Sequence, residues 1–258
     1  MKLFYRKFGQ GNPFLILHGL FGQCDNWQTQ AKAIADKGFE VYIIDQRNHG
    51  LSPHDENFNY NAMSSDLHEL ITDLNYDKII LLGHSMGGKT AMKYAQDHSQ
   101  KINKLIIADI APKFYPPHHQ KIIDALQAVD FGIIKSRKEA SDILSRYIAD
   151  LGTIQFLLKN IYWKTDSQLE WRFNLVSIIN NIDNVGAEIE FSSISTNLNF
   201  RTLFIRGEKS DYINNSDISI IRNNFPDAEF VTIPGAGHWL HAEKPNEFLN
   251  EIIRFISE

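Results

Sequence analysis

A serine and a histidine far apart in the chain are the residues best placed to do chemistry. Ser85 stands in Gly83-His84-Ser85-Met86-Gly87, after the apolar run Ile79-Ile80-Leu81-Leu82 and before a helical pattern. Gly-x-Ser-x-Gly between a buried strand and a helix is the context of a nucleophile elbow, whose flanking residues must be small because the turn is so tight. The hydroxyl then stands at the carboxyl end of a sheet, above a helix N-terminus. There the helix dipole and the Met86 N–H can stabilise charge growing on a substrate oxygen.

A serine hydroxyl is a poor nucleophile at neutral pH and needs a base. Of the ten histidines, His238 follows the last strand on the glycine-rich loop Pro234-Gly235-Ala236-Gly237, which brings it to the sheet edge of Ser85. His241 is expected to pack or cap beside the last helix, and His84 to point into the sheet. His118-His119 has no carboxylate or cysteine at ligand spacing, so no metal is expected. An acid must orient the imidazole, and in this chain order it falls between serine and histidine. Asp109 and Asp211 both qualify. The usual Gly-x-x-Asp spacing after Gly207 falls on Ser210, and Asp109, at the end of the strand after the nucleophile helix, is the preferred assignment. The second oxyanion donor is expected from Leu17-His18-Gly19-Leu20-Phe21-Gly22, with the Leu20 N–H facing the nucleophile and Phe21 walling the acyl pocket.

The elements that position these residues follow from periodicity. Short β-branched runs at 14–17, 41–44, 79–82 and 105–108 read as strands covered on both faces. Helical stretches at about 27–37, 61–74 and 86–98 lie between them, so the chain builds βαβ units around a parallel sheet. From about 116 to 195 the spacing is helical; Ala140, Ile143, Leu144, Tyr147, Ile148 and Leu151 fall on one face of a single helix. Strands return at 202–205 and 229–233, and an amphipathic helix covers about 246–257. The expected division is an α/β core of 1–112 and 200–258, interrupted by a helical cap of 113–199.

With 258 residues the chain can bury a sizeable core. Hydrophobic residues at 43% and charged residues at 22% are ordinary globular values, against disorder or fibrous structure. The net charge of −5 argues against nucleic-acid or anionic-membrane binding, which needs basic patches. No apolar run reaches the roughly 18 residues of a membrane span. The lone Cys24 closes no intrachain disulfide and reads as a small hydrophobe. Arg6 and Lys7 interrupt what a signal peptide would need, so a cytoplasmic protein is expected.

Six segments in order resemble the α/β-hydrolase superfamily and, within it, the bacterial YbfF-type esterases. They are His18 to Gly22, Asp45-x-Arg47-Asn48-His49-Gly50-x-Ser52-Pro53, Gly83 to Lys89, Asp109-Ile110-Ala111-Pro112, Glu170-Trp171-Arg172-Phe173-Asn174, and Gly235 to His238 with Trp239-x-His241-Ala242-Glu243-Lys244-Pro245. The resemblance implies hydrolysis of short-chain carboxylic esters, possible activity on acyl-CoA thioesters, and no cofactor. It supports Asp109, because the group carries a small polar residue at the usual acid position. Phe21, Trp171, Arg172 and Trp239 are expected at the substrate pocket, with Arg172 a candidate partner for a substrate carboxylate. Asp45 to Pro53 reads as a structural loop. The rival enzymatic reading is a serine-elbow lyase or carbon–carbon bond hydrolase, such as a menaquinone-pathway enzyme, whose carboxylate-rich substrate would want several pocket arginines. A catalytically silent ligand receptor is the other rival.

Overall fold

In the parallel strands, alternate side chains enter opposite hydrophobic layers. Phe14 and Ile16 pack on one side of the sheet while Leu15 and Leu17 pack on the other, and Ile80, Leu82 and Leu81 alternate likewise. Each fully buried side chain of this kind stabilises by about 1.5–3 kcal/mol, which is why the runs read as continuous apolar stretches. The computed structural model describes residues 1–117, 119–191 and 198–258.

The strands are β1 (Tyr5–Phe8), β2 (Asn12–Leu17), β3 (Phe39–Ile44), β4 (Ile79–His84), β5 (Ile102–Ala108), β6 (Ile161–Thr165), β7 (Gln168–Trp171), β8 (Arg201–Gly207) and β9 (Glu229–Ile233). The helices are α1 (Gln28–Ala35), α2 (Tyr60–Asp73), α3 (Met86–Asp97), α4 (Gln120–Gln127), α5 (Arg137–Leu144), α6 (Leu151–Leu158), α7 (Leu175–Asn180), α8 (Ile182–Gly186), α9 (Asp217–Asn224), α10 (Leu240–Glu243) and α11 (Pro245–Ser257). Seven strands form one sheet in the order β1-β3-β2-β4-β5-β8-β9, parallel except for β1. Helices α1 and α11 cover one face, while α2 and α3 cover the other. Register pairs Leu17 with Gly83, His84 with Ala108, and Ala108 with Ile205. The loop after β2, Ser85 and Asp109 therefore leave the sheet at the same edge.

Three details differ from the sequence reading. Strand β1 is an antiparallel edge strand whose side chains are mostly exposed, so it carries no buried apolar run. The segment between β5 and β8 is not purely helical: β6 and β7 form a hairpin joined by Asp166 and Ser167. Its pairing is fixed by Glu170, which accepts from the Tyr162 hydroxyl (2.8 Å) and the Lys164 ammonium (2.7 Å). The single helix face from Ala140 to Leu151 is broken. α5 ends at Leu144, and Asp150 caps a new helix by accepting the Thr153 N–H at 2.6 Å. Tyr147 and Leu151, at the end of that supposed face, are 45% and 71% exposed.

The inserted segment is fastened to the sheet edge through the loop after β3. Asn174 N–H donates to the Asn48 carbonyl (2.8 Å), and the Asn48 amide to Ser177 Oγ (3.2 Å). Arg47 holds that loop by a bidentate pair with buried Asp66, at 2.6 and 2.9 Å. Among the described residues, no helix is long and apolar enough to cross a membrane. Among the same residues, no group of three His, Cys, Asp or Glu is placed to hold a metal ion. His118 lies outside the described residues.

Candidate active site

Ser85 is the single residue between β4 and α3, and its backbone sits at φ 53°, ψ −120°. This is a sparsely populated conformation for a residue with a Cβ, costing of order 1–3 kcal/mol, and it persists because the surroundings leave no alternative. A Cβ on Gly87 would meet the Leu17 and His18 carbonyl oxygens at 2.5 and 2.6 Å, and one on Gly83 would overlap the Gly87 carbonyl. The Ser85 N–H donates to the Ala108 carbonyl (3.0 Å), and the Ser85 carbonyl accepts from Gly88 and Lys89 N–H. Met86 opens α3, so its N–H has no carbonyl of its own helix to bond.

His238 reaches the serine from the loop after β9. Glu243 pins that loop on both sides, accepting from Gly237 N–H (2.7 Å) and Trp239 N–H (3.2 Å). The imidazole bridges two partners: Nε2 lies 3.0 Å from Ser85 Oγ, and Nδ1 lies 2.8 Å from Asp109 Oδ2. An ionised carboxylate only accepts, so Nδ1 carries the hydrogen and Nε2 is left to accept from the serine hydroxyl. Asp109 is fully buried, at φ 53°, and its N–H donates to the Ile205 carbonyl (2.8 Å). Its carboxylate also accepts the Gly207 N–H (3.0 Å) and the Ser210 hydroxyl. Ser210, at the position where spacing after β8 would put an acid, thus serves the acid that comes from β5. Asp211, the alternative, is exposed, and among the described residues no hydrogen bond joins its carboxylate to His238.

Four other histidines of this region are held neutral. Burial pulls His18 down to about 4, His49 and His241 down to about 3, and His84 well below its ordinary value. Each has a structural partner. His84 Nε2–H donates to the His238 carbonyl (2.8 Å), and His241 stacks on Trp27 with ring centroids 4.2 Å apart. His18 Nε2 accepts the Gln46 N–H (3.1 Å), and His49 Nε2 accepts the Phe21 N–H (3.2 Å). That last bond matters for the loop after β2. With Phe21 N–H bound to His49 and Gly22 N–H bound to the Gly19 carbonyl (3.0 Å), these two donors of the loop are already engaged. A Cβ on Gly19 would lie 3.2 Å from Ser85 Cβ, so the loop backbone touches the nucleophile.

A cavity of ≈ 210 Å³ opens over Ser85 and His238. It is lined by Phe21, Trp27, Phe156, Leu157, Tyr212 and Trp239 among others, with no lysine or arginine in its described wall. Phe21 and Trp239 line this cavity, and Trp171 and Arg172 do not. Trp171 stacks behind Phe173 (5.2 Å, 13°), which in turn packs on Phe21 (5.1 Å), so it lies two rings away from the cavity. Arg172, just past the end of β7, sits over the Tyr162 ring (4.4 Å) and lines a separate polar cleft. Tyr212 was not singled out in the sequence, yet its ring stacks on the His238 imidazole at 3.8 Å and 15°. Burial pushes its phenol up to about 12, so it stays neutral. In the sequence Ser210 is marked by its place at the usual acid position and Glu243 by the segment that follows His238, while no motif points to Tyr212.

Comparison with known proteins gives the same picture. Residues 12–245 match the family model described as alpha/beta hydrolase fold. A solved structure titled as a marine microorganism esterase is 47% identical, with a TM-score of 0.95 and 99% of each chain covered. The Escherichia coli esterase YbfF is 35% identical over 96% of this chain and 94% of its own. The zebrafish (Danio rerio) protein named sn-1-specific diacylglycerol lipase ABHD11 is 37% identical over 96% of this chain and 79% of its own. The chain belongs to the α/β-hydrolase family and is a carboxylesterase-type serine hydrolase acting on esters.

Proposed function

We propose that the chain hydrolyses small, uncharged, short-acyl esters through an acyl-enzyme on Ser85. The observation that carries this reading is the unbroken chain from Ser85 Oγ through His238 to Asp109, at 3.0 and 2.8 Å. Ser85 Oγ attacks the carbonyl carbon as His238 Nε2 takes its proton. The carbonyl oxygen becomes an oxyanion held by the N–H groups of Leu20 and Met86. Asp109 keeps the imidazole in the productive tautomer and stabilises its protonated form. The C–O bond then breaks, and the same proton passes from Nε2 to the leaving alcohol. Water, deprotonated by His238, attacks the acyl-enzyme and releases the acid with Ser85 regenerated. The described residues between β5 and β8 act as a cap, with Phe156 and Leu157 of α6 lining the cavity.

The absence of lysine and arginine among the described residues of the cavity wall speaks for uncharged esters over the carboxylate-rich substrates of the lyase reading. Thioesters present the same carbonyl to the same groups and belong in the same assay. Ser85→Ala is expected to lower turnover of p-nitrophenyl acetate by at least about 10⁴-fold without changing the melting temperature by more than a few degrees. Wild-type turnover in that variant would end the proposal.

A further inference from the structure

Ser85 stands between two cavities of unequal size. The ≈ 210 Å³ cavity lies on the His238 side. On the other side is a pocket of ≈ 20 Å³, walled by Tyr60, Met86, Ile110, Tyr115, Ile182 and Val185. Ser85, Leu20, His119 and Tyr212 border both, whereas His238 borders only the larger. We infer that the small pocket is the acyl subsite, sized for acetyl, and that the large cavity takes the alcohol. This assignment rests on the acyl-enzyme reading above.

The argument is one of proton transfer. When the tetrahedral intermediate collapses, the leaving oxygen must lie within hydrogen-bond reach of His238 Nε2, because that nitrogen protonates it. The alcohol therefore sits on the imidazole side, in the large cavity. With the oxyanion directed at the Leu20 and Met86 N–H groups, the remaining substituent on carbon, the acyl chain, points away from His238 into the small pocket. A space of about this size holds one water-sized group, which is the bulk of a methyl. Phe21, expected from the sequence on the acyl side, then belongs to the alcohol side.

The small pocket is braced against enlargement. The Tyr60 hydroxyl donates to the Val185 carbonyl (2.6 Å), and the Tyr115 hydroxyl to the Tyr212 carbonyl (2.5 Å). Tyr115 N–H donates to the Gly186 carbonyl (2.8 Å). Behind them Lys89, buried on α3, gives all three ammonium hydrogens to carbonyls at both roots of the inserted segment: Lys113 (2.8 Å), Gly186 (3.0 Å) and Ala187 (2.5 Å). Its ammonium also lies 4.8 Å from the Tyr115 ring centroid. A longer acyl chain has to break this knot to fit.

The test is kcat/KM along two substrate series. With p-nitrophenol as the constant leaving group, acetate is expected to exceed butyrate by at least about tenfold and hexanoate by more. With acetyl constant, ethyl, butyl and benzyl acetates, all esters of alkyl alcohols of similar acidity, are expected to stay within about tenfold of one another. Val185→Ala, or Ile182→Ala should the first fail to fold, removes two or three carbons of wall and is expected to move the acyl optimum to butyrate. Phe156→Ala is expected to alter the alcohol series and leave the acyl order unchanged. A wild-type optimum at hexanoate or beyond, or a shift of acyl preference by Phe156→Ala but not by Val185→Ala and Ile182→Ala, overturns the assignment. Turnover that persists in Ser85→Ala would instead overturn the acyl-enzyme reading, whatever the two series show.

Discussion

Asp109→Asn isolates what the buried acid does, because the substitution keeps shape and removes charge. Asp109 Oδ1 accepts the Gly207 N–H at 3.0 Å, so the amide oxygen of an asparagine is held there. Its NH₂ group then faces the Ser210 hydroxyl and His238 Nδ1. Two donors cannot face each other, so the imidazole shifts its hydrogen from Nδ1 to Nε2, the nitrogen 3.0 Å from Ser85 Oγ. That nitrogen can no longer accept the serine proton. The expected loss in kcat at pH 7 is about 10⁴-fold, or ~5.4 kcal/mol at 1.36 kcal/mol per tenfold. Weakening the hydrogen bonds to a charged group costs about 1.5–3 kcal/mol of stability, a fall in melting temperature of roughly 3–12 °C. The variant therefore stays folded at 25 °C. Steady-state hydrolysis of p-nitrophenyl acetate, beside a thermal melt, measures both. Asp211→Asn is expected to stay within about twofold of the parent, since surface changes away from such features have small effects. A loss below tenfold in Asp109→Asn, or a comparable loss in Asp211→Asn, would refute the reasoning.

Three further outcomes follow from the same geometry. His18, His49, His84 and His241 stay neutral in the folded protein but titrate near about 6.5 when unfolded. Their stabilisation is full above that pH and is lost as pH falls toward 4, because the unfolded chain then binds more protons. The slope is about 1.4 kcal/mol per pH unit for each histidine, and a melting temperature unchanged from pH 7 to pH 5 would contradict it. Burial pulls the Lys89 ammonium down to about 7, while three carbonyls and a tyrosine face hold its proton. Lys89→Met orphans those carbonyls at about 1 kcal/mol or more each, so calorimetry is expected to show a melting temperature lower by roughly 6–12 °C. An unchanged melt would show that the knot contributes nothing. Arg172→Ala is expected to leave kcat/KM for acetate esters within about twofold, and a tenfold rise in KM would return Arg172 to the substrate.

The sequence makes the core of this site legible because its signals are local. A strand, Gly83-x-Ser85-x-Gly87 and a helix describe a turn whose crowding is set by neighbouring backbone, and His238 advertises itself by its glycine-rich loop. The acid is harder. Asp109 and Asp211 are separated only by the β5–β8 register, which sets Ala108 beside Ile205 and so brings the Gly207 N–H and Ser210 to Asp109. Such register does not appear in residue types. The insertion misleads for a related reason. Isolated apolar residues at helical spacing from Ala140 to Leu151 cannot report that Asp150 starts a new helix. Nor does β6, the first strand of the hairpin, carry the buried alternation of a core strand, since its outer residues face solvent. Arg172 is misplaced because its seat over the Tyr162 ring exists only in the folded hairpin, while Tyr212 and Lys89 are invisible because their roles exist only in contacts with separate segments of the chain, His238 for Tyr212 and Gly186 and Ala187 for Lys89.

Covalent capture of the nucleophile tests the central claim most directly. A p-nitrophenyl phosphonate, which resembles the tetrahedral intermediate and does not turn over, is incubated with the protein while released nitrophenol, residual esterase activity and peptide mass are followed. The account predicts one equivalent of nitrophenol per chain, activity lost in the same proportion, and the phosphonyl group on the peptide carrying Ser85, with neither release nor adduct in Ser85→Ala. Activity lost with the adduct on any other residue, or stoichiometric release that persists in Ser85→Ala, would contradict it.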